Sequence, residues 1–166
     1  MVSAFRLIGY EDRVMEARDF ADDTKDGGEV GSGHRVTALY EIVPVGSSFN
    51  PGIPESRYAP EDPAPAEDAD EDADWFTLSI RYKAPGKDAS TLEEFSFKGI
   101  PDEKLSDNMN WAAAVAECAM LLRGSEWKGS ASWNSALALA RSCASVSGDA
   151  YKEEFVYLLT LLQRAE

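Results

Sequence analysis

The chain has 166 residues, of which 44% are hydrophobic, and a formal net charge of −14 from 30 acidic and 16 basic residues. This length and apolar content are enough for one folded domain with a buried core. A surface of that sign repels phosphate backbones and anionic lipid heads, and no apolar run reaches the roughly 18 residues of a membrane span, so we expect no nucleic-acid partner and no membrane insertion.

Four strands are predicted in the first hundred residues. The first covers residues 4–10, and the second, over 34–45, has apolar residues on both faces, which is typical of a more central strand. The third, over 76–82, alternates apolar and polar residues, which predicts a strand half buried against a core. A fourth, weaker strand over 92–97 follows it through a hairpin-type connection.

A proline-rich, acidic loop over 46–74 separates the second and third strands. Its residues 59–74 include eight acidic residues and no basic one. A segment of this length without a periodic pattern is typical of a linker.

From residue 106 the apolar residues recur with the spacing of helices. Ser, Thr, Asp and Asn are the residues that favour helix N-termini, and a glycine, Gly124, follows the first helix. The predicted helices and their caps are 108–123 with Ser106 or Asp107, 133–144 with Ser132, and 150–164 with Asp149.

Apolar stripes at helical spacing predict which residues of the first and third helices face the core. They are Trp111, Val115, Cys118 and Leu122 in the first helix, and Phe155, Leu158, Leu159 and Leu162 in the third.

Strands followed by helices, without alternation, predict an α+β fold. We expect a mainly antiparallel β-sheet or partial sandwich over residues 1–100, followed by a three-helix C-terminal part. The whole chain, 1–166, is predicted to be one domain with a β-rich part over 1–45 and 75–100 and a helical part over 105–166.

Two cysteines, Cys118 and Cys143, lie in alanine-rich helical segments, outside any CxxC or Cys/His cluster. The interpretation we favour is that both are small buried residues, because free cysteine is among the most buried residue types. A disulfide between two packed helices is the alternative.

The acidic run places Asp68, Asp70, Asp72 and Asp74 two residues apart, like the early ligands of a calcium loop. An EF-hand loop starting at Asp68 needs glycine at its sixth position and glutamate at its twelfth, where this chain has Ala73 and Ser79. A solvated acidic linker is therefore favoured, and we assign no metal to these residues. A calcium-responsive module using residues 67–74 is the alternative.

The chain's single histidine, His34, follows Gly31 and Gly33 in a short stretch that enters the second strand. A phosphate-binding loop would lead into a helix, so we interpret this stretch as a turn that needs glycine for a positive φ. No nucleophile motif accompanies His34, and we expect that the chain is not an enzyme. A hydrolase built around His34 is a third hypothesis.

Four segments together carry a family likeness: "RLIGYEDR" at 6–13, the stretch at 19–45 that contains "GSGHRVTALYEIVPV", "LSIRYKAPG" at 78–86 and "NWAAAVAECAMLLRGSEW" at 110–127. The chain resembles the C-terminal domain that follows a von Willebrand factor type A (vWA) domain in a group of bacterial proteins. The likeness covers nearly the whole chain.

The resemblance implies a metal-binding vWA domain upstream, in a parent protein that is secreted or anchored in the cell envelope. It implies a divalent metal in that domain and no cofactor in this chain. The expected function is that of a non-catalytic accessory domain, which packs against or orients the vWA domain and binds other proteins.

Three tryptophans, Trp111, Trp127 and Trp133, are candidate anchors for such an interaction, and core packing is the alternative for each. The N-terminus begins in mid-strand, which indicates a piece of a longer sheet. We therefore expect an exposed edge strand, or a dimer formed through one.

Adding Ca²⁺ or Mg²⁺ in place of a chelator is predicted to leave the thermal unfolding midpoint of this chain unchanged to within about 1 °C. If the chain had a specific metal site, a free metal concentration of a hundred times its Kd would stabilise the folded state by about 2.7 kcal/mol. Differential scanning calorimetry with Ca²⁺, Mg²⁺ and EDTA checks this, and a clear upward shift with Ca²⁺ alone would favour the calcium-responsive alternative.

Overall fold

Four strands precede three α-helices in the computed structural model, which describes residues 2–10, 15–16, 19–25, 27–49, 74–98 and 104–165. The α+β class and the order of elements are confirmed. The chain divides into two units, Met1–Pro101 and Asp102–Glu166. The assignment of residues 1–166 to one domain stays a prediction. Residues 50–73 of the acidic loop lie outside the described residues.

The first two strands form an antiparallel pair. Strand β1 is Val2–Ile8 and strand β2 is Leu39–Pro44, with Phe5 opposite Ile42 and an irregularity between Val2 and Ala4. An ion pair between Arg6 and Glu41 crosses the two strands. Strand β1 starts earlier than predicted and ends before Gly9, whose φ of 77° leaves the extended region.

Strand β2 is shorter than the predicted strand over 34–45, and its expected central position is not found. Val36 and Ala38 lie outside the strand and are exposed to solvent. Within the described residues, β2 pairs with β1 alone. The apolar residues on both faces of 34–45 therefore belong partly to the exposed segment that leads into the strand.

The third and fourth strands form a hairpin. Strand β3 is Asp74–Tyr82 and strand β4 is Thr91–Lys98, and they pair antiparallel in a second, separate sheet. The connection turns at Gly86, whose φ is 74°, and Lys87 N–H donates to the Ala84 carbonyl (3.0 Å). Both predicted strands are confirmed. The expectation that the third strand is half buried against a core is not confirmed, because Phe76, Ile80 and Tyr82 are exposed.

In the described residues each sheet has two strands, so every strand has one edge without a neighbouring strand. This agrees with the expectation of an exposed edge. Pairing of such an edge with a second copy stays a prediction.

The three helices begin at the predicted caps. Helix α1, Asp107–Leu122, is capped by Ser106, which accepts a hydrogen bond from Met109 N–H (3.2 Å). Helix α2, Trp133–Ser142, starts with a capping box in which Ser132 and Ser135 each accept from the other's backbone N–H. None of the described helices is long and apolar enough to cross a membrane.

Helix α3, Ala150–Ala165, is capped by Asp149, which accepts from the N–H groups of Tyr151 (3.1 Å) and Lys152 (3.2 Å). The segment before it differs from the prediction, since α2 ends at Ser142 and Ala144–Val146 forms a 3₁₀ turn. A second 3₁₀ turn, Glu126–Lys128, follows α1.

The core of the helical unit consists mainly of small side chains: Ala114, Cys118, Leu137, Ala140 and Leu159. Both cysteines, Cys118 and Cys143, are buried and free, which confirms their interpretation as small buried residues. Burial raises the pKa of both thiols, and the nearby Asp107 carboxylate raises the pKa of Cys143 further.

Part of each predicted apolar stripe is wrong. In α1 the buried residues are Ala114 and Cys118, whereas Val115 and Leu122 are exposed. In α3 Leu159 is buried and its neighbour Leu158 is exposed. The physical reason is that alanines let two helices approach closely, so the contact follows Ala114 and not the larger side chains beside it.

Replacing Leu159 by alanine is predicted to lower the free energy of unfolding by about 2 to 5 kcal/mol, because Leu159 is 1% exposed and its removal leaves a cavity. Leu158→Ala, one residue away on the exposed surface, is the matched control and should cost less than about 1 kcal/mol. Urea denaturation followed by circular dichroism compares the two, and equal losses would contradict the burial pattern of α3.

A second prediction concerns Asp107, which joins the start of α1 to the 3₁₀ turn. Its carboxylate accepts from the N–H groups of Ala144 (2.6 Å) and Ser145 (3.1 Å). A hydrogen bond from the Ser145 hydroxyl, with these backbone bonds and Lys152, lowers the pKa of Asp107 below its ordinary 3.8. The stabilisation is therefore present above 3.8 and is lost as the pH falls through the lowered pKa.

We expect Asp107→Asn to lower the thermal midpoint by a few degrees at pH 7, with a difference that shrinks as the pH drops below 3.8. The control is Asp88→Asn, which removes a carboxylate from the exposed hairpin connection. A midpoint difference for Asp107→Asn that persists unchanged into strong acid would show that the charge of the carboxylate does not matter.

Candidate functional site

The hairpin β3–β4 has one apolar face. Directly opposite residues of an antiparallel pair lie on the same face, and the register places Phe76 opposite Phe97 and Leu78 opposite Phe95. The rings of Phe76 and Phe97 stack with centroids 4.7 Å apart. Six side chains lie on this face: Phe76, Leu78, Ile80, Tyr82, Phe95 and Phe97. We call this set the β3–β4 apolar face.

This face is open to solvent. Five of its six side chains are between 39% and 45% exposed, and the sixth, Leu78, is half-buried. Large contiguous apolar patches on a protein surface are candidates for binding another protein.

The opposite face of the hairpin is mainly polar, with Leu92 as an apolar member, and several of its hydroxyl and charged groups bond to one another. Ser79 donates to Glu94 (3.0 Å), Thr77 and Ser96 lie 3.3 Å apart, and Arg81 donates to Ser90 (2.7 Å). The two faces of the hairpin therefore differ, because the polar face makes several hydrogen bonds between its own side chains, although Nε of Arg81 is buried there without a hydrogen-bond partner.

Residues 19–25 pack over the end of this polar face. The guanidinium of Arg81 lies 5.6 Å from the centre of the Phe20 ring and 4.0 Å from the Asp23 carboxylate, and Lys83 donates to the Asp23 carbonyl. A hydrogen bond from Ser90, helped by Lys83 and Arg81, lowers the pKa of Asp23. Since this segment contacts the polar face, it leaves the apolar face free.

A tyrosine and a glutamate lie at the loop end of the β3–β4 apolar face. The Tyr82 hydroxyl donates to Glu93 (2.9 Å), and this hydrogen bond raises the pKa of Tyr82. The pair gives the apolar face a polar rim, which is the common arrangement at protein interfaces.

The three candidate tryptophans have different surroundings. Trp111 and Trp133 pack against the core of the helical unit, and the ring of Trp111 meets that of Phe155 edge-on at 5.3 Å. Trp127 lies in the 3₁₀ turn after α1 and is 42% exposed. Their role as interaction anchors stays a prediction.

Of the acidic candidates, Asp68, Asp70 and Asp72 lie outside the described residues. Asp74 is the first residue of β3 and forms an ion pair with Lys98 (3.7 Å). In the described ranges, no three His, Cys, Asp or Glu residues lie where they could hold a metal ion together.

His34 lies in a turn, as predicted. Its N–H donates to the Gly31 carbonyl (3.1 Å), and Gly33 has a φ of 79°. A Cβ on residue 31 would lie 2.8 Å from Nδ1 of His34, so a larger residue there would require the exposed His34 ring to move. Strand β2 begins five residues later, at Leu39, so His34 is not at the strand itself.

The alternation of β3 was predicted from the sequence, but the exposed β3–β4 apolar face was not. This face could have been predicted from a second alternation, in "LEEFSF", which places Phe95 and Phe97 on one face of β4. Combined with a hairpin register, these two rings must share a face with Phe76 and Leu78.

Comparison with known proteins identifies a family that this chain matches. Residues 1–165 match the family described as "Uncharacterized protein YfbK, C-terminal". Among curated proteins, the chain is 33% identical over 160 residues to "Uncharacterized protein YfbK" of Escherichia coli (strain K12). The match covers 96% of this chain and 27% of that relative, so the chain spans about a quarter of the relative's length. No solved structure matches.

The family match covers nearly the whole chain, and the relative is similar over the same length. The chain therefore belongs to the family of YfbK C-terminal domains.

Proposed function

We propose that this chain is a non-catalytic accessory domain of a bacterial vWA-domain protein. It packs against the upstream vWA domain of its parent, orients that domain and supports binding between proteins. The observation that carries the proposal is the β3–β4 apolar face, whose aromatic and aliphatic side chains are exposed, whereas side chains on the opposite face bond to one another.

Burial of this face gives the driving force for the contact. Each apolar side chain that leaves water stabilises a contact in proportion to the area buried, at about 25 cal/mol per Å². Sheets pack face to face through their apolar sides, about 10 Å apart, with the twist of each sheet setting the angle. A partner with a complementary apolar surface would therefore cover Phe76, Phe95 and Phe97 together.

The size of the relative supports a partner within the same parent. The chain spans 27% of the Escherichia coli relative, so other parts of such a protein are tethered beside it. Tethering raises the effective concentration of a partner, so even a modest surface can hold the two parts together.

The resemblance to domains that follow vWA domains supports the choice of partner and of place. We propose that any divalent metal of the parent lies in the vWA domain, and that the parent is secreted or held in the cell envelope. The single histidine lies in a turn without a nucleophile motif around it, and this supports a role without catalysis.

We expect this chain to bind the upstream vWA domain of its parent in isothermal titration calorimetry. Phe95→Thr should weaken binding at least tenfold, about 1.4 kcal/mol, because it removes an aromatic ring from the apolar face. The matched control is Glu94→Thr, the neighbouring residue on the polar face, which should change the Kd by less than about threefold.

Circular dichroism melting of both variants controls for folding. The proposal fails if the wild-type chain does not bind the vWA domain, or if the two variants weaken binding equally.

A further inference from the structure

Residues 19–25 contact the loop end of the β3–β4 hairpin through two cations of the hairpin. The Arg81 guanidinium lies 5.6 Å from the centre of the Phe20 ring and 4.0 Å from the Asp23 carboxylate. The Lys83 ammonium donates to the Asp23 carbonyl. We call residues 19–25 the strap.

The strap holds its shape through hydrogen bonds of its own. The N–H of Asp22 donates to the Asp19 carbonyl (3.1 Å), and the N–H of Lys25 donates to the Asp22 carbonyl (3.0 Å). The hydroxyl and the N–H of Thr24 both donate to the Asp22 carboxylate, at 2.7 and 2.9 Å. None of these bonds involves the hairpin, so the strap can leave the hairpin surface without losing them.

The contacts between the strap and the hairpin are reached by water. The Asp23 side chain is 44% exposed and Phe20 is 37% exposed. The guanidinium that they contact also carries a cost, because Nε of Arg81 is buried without a hydrogen-bond partner. A buried donor without a partner opposes burial, since water would otherwise accept its hydrogen bond. The closed position of the strap is therefore only weakly favoured.

Opposite charges draw the strap to the hairpin. The strap contains three aspartates and one lysine, and the two hairpin residues that it contacts, Arg81 and Lys83, are cations. Attraction between exposed charges is screened by salt, because the Debye length falls from about 30 Å at 0.01 M to about 3 Å at 1 M. Salt therefore weakens the force that closes the strap.

We propose that the strap is a reversible conformational device, which is closed on Arg81 at low salt and opens as the salt concentration increases. In the closed state Phe20 and Asp23 cover the guanidinium. Opening exposes Arg81 and Lys83 together, so the strap controls access to a pair of cations in a chain with a net charge of −14. The strap lies on the polar face, so this inference does not depend on the proposed binding by the β3–β4 apolar face.

Nuclear magnetic resonance of the complete 166-residue chain, labelled with ¹⁵N, tests the inference. An aromatic ring over the guanidinium shields the Arg81 Hε proton, so the position of its resonance reports whether Phe20 is in place. The heteronuclear Overhauser effects of the strap amides report motion on the picosecond to nanosecond timescale. Between about 0.01 M and about 1 M salt, we expect the Arg81 Hε resonance to move downfield and the Overhauser effects of the strap to fall.

Arg81→Gln should lower the Overhauser effects of the strap at low salt to the values that the wild-type chain shows at high salt. The matched control is Lys98→Gln, which removes a cation from the other end of the same hairpin, where Lys98 pairs with Asp74 (3.7 Å). This control should leave the strap unchanged. Phe20→Leu should also loosen the strap, and because residue 20 lies outside both strands, its effect does not arise from a disturbed hairpin.

Three results would overturn the inference. They are a strap that stays rigid at the highest salt concentration, a strap that is mobile at every salt concentration, and equal loosening by Arg81→Gln and Lys98→Gln. None of these results decides the titration with the vWA domain, because that proposed contact uses the opposite face of the hairpin.

Discussion

The small size of the buried side chains determines the structure of the helical unit. Ala114, Ala136 and Ala140 are completely buried, and Leu159 is the one large side chain that is fully buried among the described residues. Small side chains allow the backbones of two helices to approach closely, as α2 does with its neighbours. The larger apolar residues Val115, Leu122 and Leu158 then lie beside these contacts and are exposed.

A related constraint applies to the N-terminal unit, where each described sheet has two strands. A two-stranded hairpin cannot bury either face by folding alone and is marginally stable in isolation. In β3–β4 the polar face bonds internally and is contacted by Phe20 and Asp23, whereas the face with Phe76 and Phe95 is left open. Contacts with another protein part are the physical means by which such a face becomes buried.

The ion pairs in the described part of the chain are largely exposed and do not replace that burial. The ion pairs between Arg6 and Glu41 and between Lys98 and Asp74 join paired strands at the surface. Exposed ion pairs contribute about 0 to 1 kcal/mol each, because water and salt screen them. Stability therefore depends mainly on apolar burial.

Local sequence determined much of this structure. The caps Ser106, Ser132 and Asp149 are placed by their own hydrogen bonds to the next turn, and the alternation in "FTLSIRY" is a property of the strand itself. The positive φ at Gly33 is likewise a local property, which is why the turn at His34 could be predicted.

Tertiary structure decided which apolar residues are covered. Val115, Leu122 and Leu158 fit a helical stripe as well as Cys118 does, but burial depends on where a neighbouring backbone can approach, and alanines on α2 decide that. The same reason explains the open face of β3 and β4, since alternation predicts that one face is apolar and only packing decides whether anything lies against it.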